Sequence, residues 1–271
     1  MRLILKIKNI IPIDFRSFLT NCLMRLRLLL KYGTSDFFEK IEIETTTYCN
    51  RLCTYCPNSI FSRGIKKNEK RMDEKLYKKI IQELKELNYS GIVSPHGYGE
   101  PLLDDRITGF IQYTKDELPF SKIKLFTNGD FLDYNKYREL ADAGVDFFEI
   151  TQHGEKPNQK IMDILERIST KEKKKISYSV LKEKHEIINR GGILKIKSLN
   201  RRRCPVMGLL AINYSGDLLI CCNDYNNSIK LGNINNMKLI DIWNSKKFKK
   251  IRYELRKGKR PTIICKKCIG T

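Results

Sequence analysis

No stretch of the 271-residue chain holds the run of about 20 apolar residues that a bilayer-spanning helix needs. Its apolar N-terminal region, residues 1–31, is broken by Lys6, Lys8, Pro12, Arg25, Arg27 and Lys31, and offers no small-residue cleavage site. Those absences exclude a membrane span and argue against export, so a reducing cytoplasm is the expected setting. Internal repeats and low-complexity segments are also missing, which excludes a solenoid. Acidic residues are in deficit, 31 Asp and Glu against 52 Lys and Arg, leaving a formal net charge of +21. Such a charge suits nucleic acid, an anionic membrane or an acidic electron donor. The basic runs, however, are scattered: Lys66 and Lys67, then 173–175, 201–203, 246–250 and 256–260. Scatter argues for a lysine-rich surface and against one nucleic-acid patch.

What is present belongs to a globular protein, with 41% hydrophobic and 31% charged residues. The length suits one large domain with a small appendage. Nine cysteines form an odd, tightly clustered set, unlike a disulfide framework. The composition divides the chain into a basic amphipathic N-terminal segment (1–39), a core (40–200) and a distinct C-terminal part (201–271). The first segment packs on the core or lies on a membrane surface.

From residue 40 onwards, strand-like runs alternate with amphipathic helical ones, as in successive βα units. The predicted strands are 41–47, 92–96, 122–126, 145–151, 176–181 and 193–196. The predicted helices start at Asp73, near Asp104 and Asp105, at 135, and around Ile161, Ile164, Leu165 and Ile168. In the last part, 209–212 and 218–221 flank Ser215-Gly216-Asp217 as a hairpin, and one long helix is expected over 238–257. Five or six βα units are too few for an eight-stranded barrel.

The chemistry begins at Cys49-Asn50-Arg51-Leu52-Cys53-Thr54-Tyr55-Cys56. Three thiolates at CxxxCxxC spacing suit three corners of an iron–sulfur cubane. Zinc would want a fourth ligand nearby, and neither Cys nor His follows before His96. With Tyr55 just before the last cysteine, the motif resembles that of the radical S-adenosylmethionine (SAM) enzymes. The resemblance implies an α/β partial (β/α)6 barrel and a [4Fe-4S] cluster on Cys49, Cys53 and Cys56 whose open iron chelates SAM. It also implies reductive cleavage of SAM to a 5′-deoxyadenosyl radical that takes a hydrogen atom from substrate.

Three later segments fit that reading. Gly97-Tyr98-Gly99-Glu100-Pro101 ends the second strand, where glycines allow close approach and Glu100 offers a carboxylate to an amine. It is similar to the family's GGEP motif, which grips the amino group of SAM. Thr127-Asn128-Gly129 resembles a TNG segment near the SAM site. Thr151-Gln152-His153 stands where the family places ribose-contacting groups, with Gln152 and His153 as candidates. His96 adjoins the Glu100 loop and reads equally well as structural. Glu42 and Glu44 share one strand face.

A second set comprises Cys204, Cys221 or its neighbour Cys222, and the terminal Cys265-Lys266-Lys267-Cys268. Spacing alone favours a zinc ribbon. Together with Gly216-Asp217, Leu231-Gly232-Asn233-Ile234 and Asp241-Ile242-Trp243, the segment resembles the SPASM/twitch extension of radical SAM enzymes. That implies one auxiliary [4Fe-4S] cluster on Cys204, Cys221, Cys265 and Cys268. Cys22 and the non-ligating member of the Cys221–Cys222 pair are then expected as small buried hydrophobes.

A fully ligated auxiliary cluster suits an electron relay. The expectation is an oxidoreductase acting on a sugar, an aminocyclitol or a similar hydroxylated small molecule, served by an acidic flavodoxin or ferredoxin. A peptide or protein maturase is the alternative. A zinc-stabilised nucleic-acid-binding protein is the third reading, and it leaves CxxxCxxC unexplained.

Overall fold

The computed structural model describes residues 13–154, 156–181, 189–195, 204 and 208–269. The chain forms two compact units, Met1–Glu39 and Lys40–Thr271. In the first, helix α1 (Ile13–Tyr32) ends at Gly33, whose φ of +68° lets its N–H reach the Leu29 carbonyl at 2.9 Å. The Tyr32 ring stacks on Phe37, with centroids 4.2 Å apart. Cys22, expected to be buried, is exposed on α1.

The second unit is built on strands that alternate with helices. β1 (Lys40–Ile43) is followed by α2 (Glu74–Glu86), β2 (Ile92–Ser94), α3 (Ile107–Glu117), β3 (Lys122–Thr127), α4 (Tyr134–Asp142) and β4 (Phe147–Gln152). Then come α5 (Gln159–Arg167), the single turn α6 (Thr170–Lys173) and β5 (Ile176–Val180). The apolar periodicity explains the packing. In α2, Leu76, Tyr77, Ile80, Ile81 and Leu84 are buried, and Asp73 caps the helix through the amides of Lys75 and Leu76. Between α3, α4, α5 and β3 and β4 lies one apolar cluster that includes Ile111, Leu125, Leu140, Phe148, Ile150 and Ile164.

β6 (Leu209–Ile212) and β7 (Leu218–Leu219) complete a seven-stranded sheet of order β5-β4-β3-β2-β1-β6-β7. Neighbouring strands from β5 through β6 are parallel, and only β7 runs antiparallel, pairing Ala211 with Leu219 and Ile212 with Leu218. This is the α/β partial-barrel architecture, with a correction to one strand. Residues 193–195 are not a strand. They follow a 3-10 turn, Arg190–Gly192, in which Gly191 and Gly192 have φ of +69° and +85°, outside any strand conformation; Ile196 lies outside the described residues. The sixth parallel strand is β6, docked on the opposite edge beside β1, so the predicted hairpin is part of the main sheet.

Two helix expectations also change. The helix foreseen over 238–257 is two, α7 (Leu239–Asn244) and α8 (Lys246–Arg256), because Ser245 turns to ψ 144° and caps α8 at the amide of Phe248. α9 (Ile263–Ile269) then carries the last two cysteines. At α3, neither Asp104 nor Asp105 is the N-cap. Arg106 occupies that position without a side-chain cap, and Asp104 is fully buried between the guanidinium groups of Arg71 and Arg106.

Glu83 of α2 holds the C-terminal part in place. Its buried carboxylate accepts the amide of Leu239, the first residue of α7, at 2.6 Å. Glu83→Ala leaves that amide unsatisfied in a dry contact and is expected to cost about 1–3 kcal/mol. Glu83→Gln keeps an acceptor and is expected to cost less, and urea midpoints at constant slope will compare the two.

Candidate active site

The parallel strands converge on a cavity of ≈ 480 Å³. The segments that follow their C-terminal ends line it: Glu44 and Cys49 after β1, His96 to Pro101 after β2, Asn128 after β3, His153 after β4, and Leu181 after β5. Parallel strands aim all these loops to one side, which is why chemistry gathers there.

Cys49, Cys53 and Cys56 all line the cavity. Their loop is tied down by the Cys49 amide on Gly64 O at 3.0 Å and the Cys56 amide on Cys53 O at 2.8 Å. Arg51 is the brace. It grips Asp130 with both sides of its guanidinium, at 2.6 and 2.7 Å, and donates to the carbonyl of His153 at 2.7 Å. Asn50 joins the same carboxylate and accepts from Asn128 Nδ2 at 2.9 Å. Burial pushes the Cys49 thiol up to about 11 and raises Cys56, each further raised by the neighbouring cysteines. A cationic iron centre removes that barrier to thiolate formation. Three soft donors on one wall of the cavity, with no histidine ring nitrogen in their loop, fit an iron–sulfur cluster.

Glu100 is 3% exposed, and burial lifts its carboxyl to about 7 against the pull of three donors. Thr127 Oγ1 donates to Oε1 at 2.7 Å, the Asn128 amide to Oε2 at 2.8 Å and the Leu102 amide to Oε1 at 3.2 Å. The predicted Thr127 and Asn128 thus hold Glu100 in place. Gly97 and Gly99 serve the chain's own packing. A Cβ on Gly99 would stand 2.2 Å from the Thr46 carbonyl oxygen, and one on Gly97 would stand 2.6 Å from Glu44 Cγ. The close approach is to the segment after β1. Tyr55 lines the cavity with its hydroxyl on His153 Nδ1. Gln152 does not line it. Its amide is spent on the Asn158 amide, the Tyr178 hydroxyl and the Lys156 carbonyl, bracing the loop after β4.

Two cavity arginines, Arg63 and Arg190, had no counterpart in the sequence reading. Arg63 pairs with the buried Glu44 at 2.8 Å, donates to Tyr225 O at 3.3 Å and lies over the Tyr225 ring. Arg190 lines the cavity from a left-handed position, φ +50°, with a buried Nε that has no hydrogen-bond partner among the described residues. Glu42 and Glu44 both face inward, and burial raises Glu42 to about 7. His96 stacks on Phe126, and burial pushes it down to about 4, so it is neutral. The only available signals were the Arg inside CxxxCxxC and the Gly-Gly after Arg190.

The C-terminal cysteines lie within electrostatic reach of one another. Cys221 feels Cys204 and Cys265, Cys268 accepts from Asn223 Nδ2 at 3.6 Å, and Cys265 accepts from Thr262 Oγ1 at 3.1 Å. Cys222 lines the cavity itself, and its carbonyl accepts the Tyr98 hydroxyl at 2.8 Å.

Residues 43–199 match the model of the radical SAM superfamily. The chain belongs to that superfamily. Residues 204–269 match the SPASM iron–sulfur cluster-binding domain, which decides for a cluster over zinc and removes the nucleic-acid reading. An S-adenosyl-L-methionine-dependent 2-deoxy-scyllo-inosamine dehydrogenase from Niallia circulans is 34% identical over 237 residues, 85% of this chain and 92% of that protein. A crystal structure of BtrN in complex with AdoMet and 2-DOIA superposes with a TM-score of 0.78 at 33% identity, covering 87% of this chain and 94% of BtrN. Streptococcus suis SuiB bound to its precursor peptide SuiA superposes at 0.54 with 15% identity, over 88% of this chain and 72% of SuiB, a likeness of fold alone. This radical SAM enzyme therefore uses SAM and [4Fe-4S] clusters and is an oxidoreductase.

Anaerobically reconstituted protein is expected to hold about eight irons, falling to about four in a Cys49→Ala/Cys53→Ala/Cys56→Ala variant. Iron and sulfide assays check this. Glu100→Gln is expected to weaken SAM binding on the order of tenfold or more by loss of a buried charge partner. It should also flatten a pH effect on the apoprotein. A carboxyl raised to about 7 binds more protons folded than unfolded, so its contribution to stability falls as pH rises from about 4.5 to 7. Thermal melts of both proteins across that window test the sign.

Proposed function

We propose that the protein oxidises an alcohol carbon of an aminocyclitol or closely related amino sugar to a ketone. The observation that carries it is a cavity walled by Cys49, Cys53, Cys56 and Glu100 on the barrel side and by Cys222 and Tyr225 from the C-terminal part. A substrate there stands against the first cysteine set and against Cys222, the chain neighbour of Cys221 in the second. When bound, the first cluster with SAM would supply abstraction of the hydrogen atom on the alcohol carbon and the second would take the remaining electron, the hydroxyl proton leaving to solvent.

The chain's own residues place the reactants. Cys49, Cys53 and Cys56 would hold the SAM-binding cluster, and Cys204, Cys221, Cys265 and Cys268 the auxiliary one. Glu100, aligned by Thr127 and Asn128, would receive the amino group of SAM, with Tyr55, Gly97, Gly99 and Pro101 shaping that end of the cavity. Gln152 would act at one remove, through the loop that carries His153. Toward the substrate, Glu42 offers a carboxylate to a protonated amine. Arg190 offers an N–H to a hydroxyl, and the rings of Phe126 and Tyr98 exclude water. The relative of 34% identity, named for 2-deoxy-scyllo-inosamine, supports this substrate class. The basic surface suits an acidic flavodoxin or ferredoxin as donor, in the cytoplasm. Among the described residues no helix is long and apolar enough to cross a membrane.

With 2-deoxy-scyllo-inosamine, SAM and a reductant, the holoenzyme is expected to form a ketone and 5′-deoxyadenosine in equal amounts. Glu42→Gln is expected to raise KM for the aminocyclitol at least tenfold with a smaller change in kcat, since it removes binding charge and not chemistry. A full set of aminocyclitols and amino sugars that yields no ketone, from enzyme that still cleaves SAM, would overturn the proposal. Mass spectrometry of the reaction mixture reads both outcomes.

A further inference from the structure

Helix α1 is exposed on the side where a globular helix is normally covered. Leu23, Leu26, Leu29 and Leu30 are 67%, 53%, 49% and 79% exposed, whereas Leu28 is 3% exposed. At 3.6 residues per turn the four exposed leucines fall within an arc of about 120°, and Leu28 lies opposite its centre. Arg25 and Arg27 border the arc, one on each side, and Lys31 follows in the last turn. Both arginines are exposed, Arg25 donating to Ser35 at 3.2 Å, and Lys31 lies over the Tyr32 ring. A leucine stripe edged by cations is the pattern of a helix lying in a lipid headgroup layer, leucines inward and guanidinium groups at phosphate level. Water-facing helices place charges on that stripe.

We propose that α1 docks the enzyme reversibly on an anionic membrane surface. Charge complementarity selects this occupant. The leucine arc is flanked by cations only, with no acidic residue anywhere in Ile13–Tyr32 except Asp14, and the whole chain carries +21. An acidic membrane attracts such a helix before any leucine is buried, and each Arg or Lys adds to the attraction. The helix lies in the surface and does not span, because it interrupts its leucines with arginines and is not apolar enough to cross.

The test is flotation of the full-length reconstituted enzyme with vesicles of phosphatidylcholine alone or mixed with phosphatidylglycerol. The enzyme is expected to float with the anionic vesicles only, and less so as salt rises. Arg25→Gln/Arg27→Gln is expected to weaken binding by about 25-fold, at about fivefold per cation. Leu23→Glu/Leu26→Glu/Leu30→Glu is expected to abolish it while iron content and melting temperature stay unchanged. Should the leucine variant misfold, the arginine variant and the salt series still decide. Equal flotation with neutral vesicles, or none with either, overturns the proposal. So does a chain that self-associates through the leucines, seen by light scattering as an oligomer that the leucine variant loses.

Discussion

The ion pair between Glu44 and Arg63 is the contact on which the active-site architecture depends. Glu44 is 4% exposed, and burial raises its carboxyl while Arg63 and the amides of Tyr98 and Tyr214 hold it down. Those three partners come from separate parts of the chain. Arg63 belongs to the loop that carries the cysteine motif, Tyr98 to the Glu100 loop, and Tyr214 to the hairpin between β6 and β7. Breaking one side of such a buried pair strands the other charge, at a cost of about 3–5 kcal/mol. Gly97 leaves the room that Glu44 occupies, so one glycine and one carboxylate together set how closely the first two loops pack. Asn58 extends the tie, accepting the Tyr225 hydroxyl at 2.9 Å and donating to Tyr98 O at 3.0 Å.

A second consequence is electrostatic. In a chain of net charge +21, the cavity collects three buried or half-buried carboxylates, Glu42, Glu44 and Glu100, all raised by burial. Glu44 is matched by Arg63. Glu42 and Glu100 keep pKa values near 7, where an arriving cation tips each to its charged form. SAM and an aminated substrate are both cationic. Carboxylates poised in this way inside a basic chain suit cationic small molecules.

The βα succession was legible because short parallel strands and amphipathic helices write different periods, and the cysteine motif because ligand spacing is local. Thr127 and Asn128 were singled out from the sequence and line the cavity, yet their contact with Glu100 was not legible. They orient Glu100 across the sheet, a contact between residues 27 and 28 positions apart. Gln152 shows the same limit in reverse, for its position at a strand end foretold the cavity and its hydrogen bonds turned it to the following loop. Arg51, Arg63 and Arg190 look like three among 52 cations until folding surrounds them. The misplaced sixth strand has a similar cause. Residues 193–196 and Leu209–Ile212 both have β-forming side chains, and two left-handed glycines directly before the first turn its described residues, 193–195, away from a strand.

By itself the sequence determined the enzyme class, the two cysteine sets and the alternating α/β pattern, all of them written in local spacing. Only the tertiary structure decided that the C-terminal part shares the main sheet through β6. The same holds for Cys222 and Tyr225 lining one cavity with Glu100, and for Glu42 and Glu44 pointing inward. The physical reason is that ligand spacing and hydrophobic period act over a few residues. Burial, hydrogen-bond partners and shifted charges are set by neighbours up to 167 positions away, as between Asn58 and Tyr225.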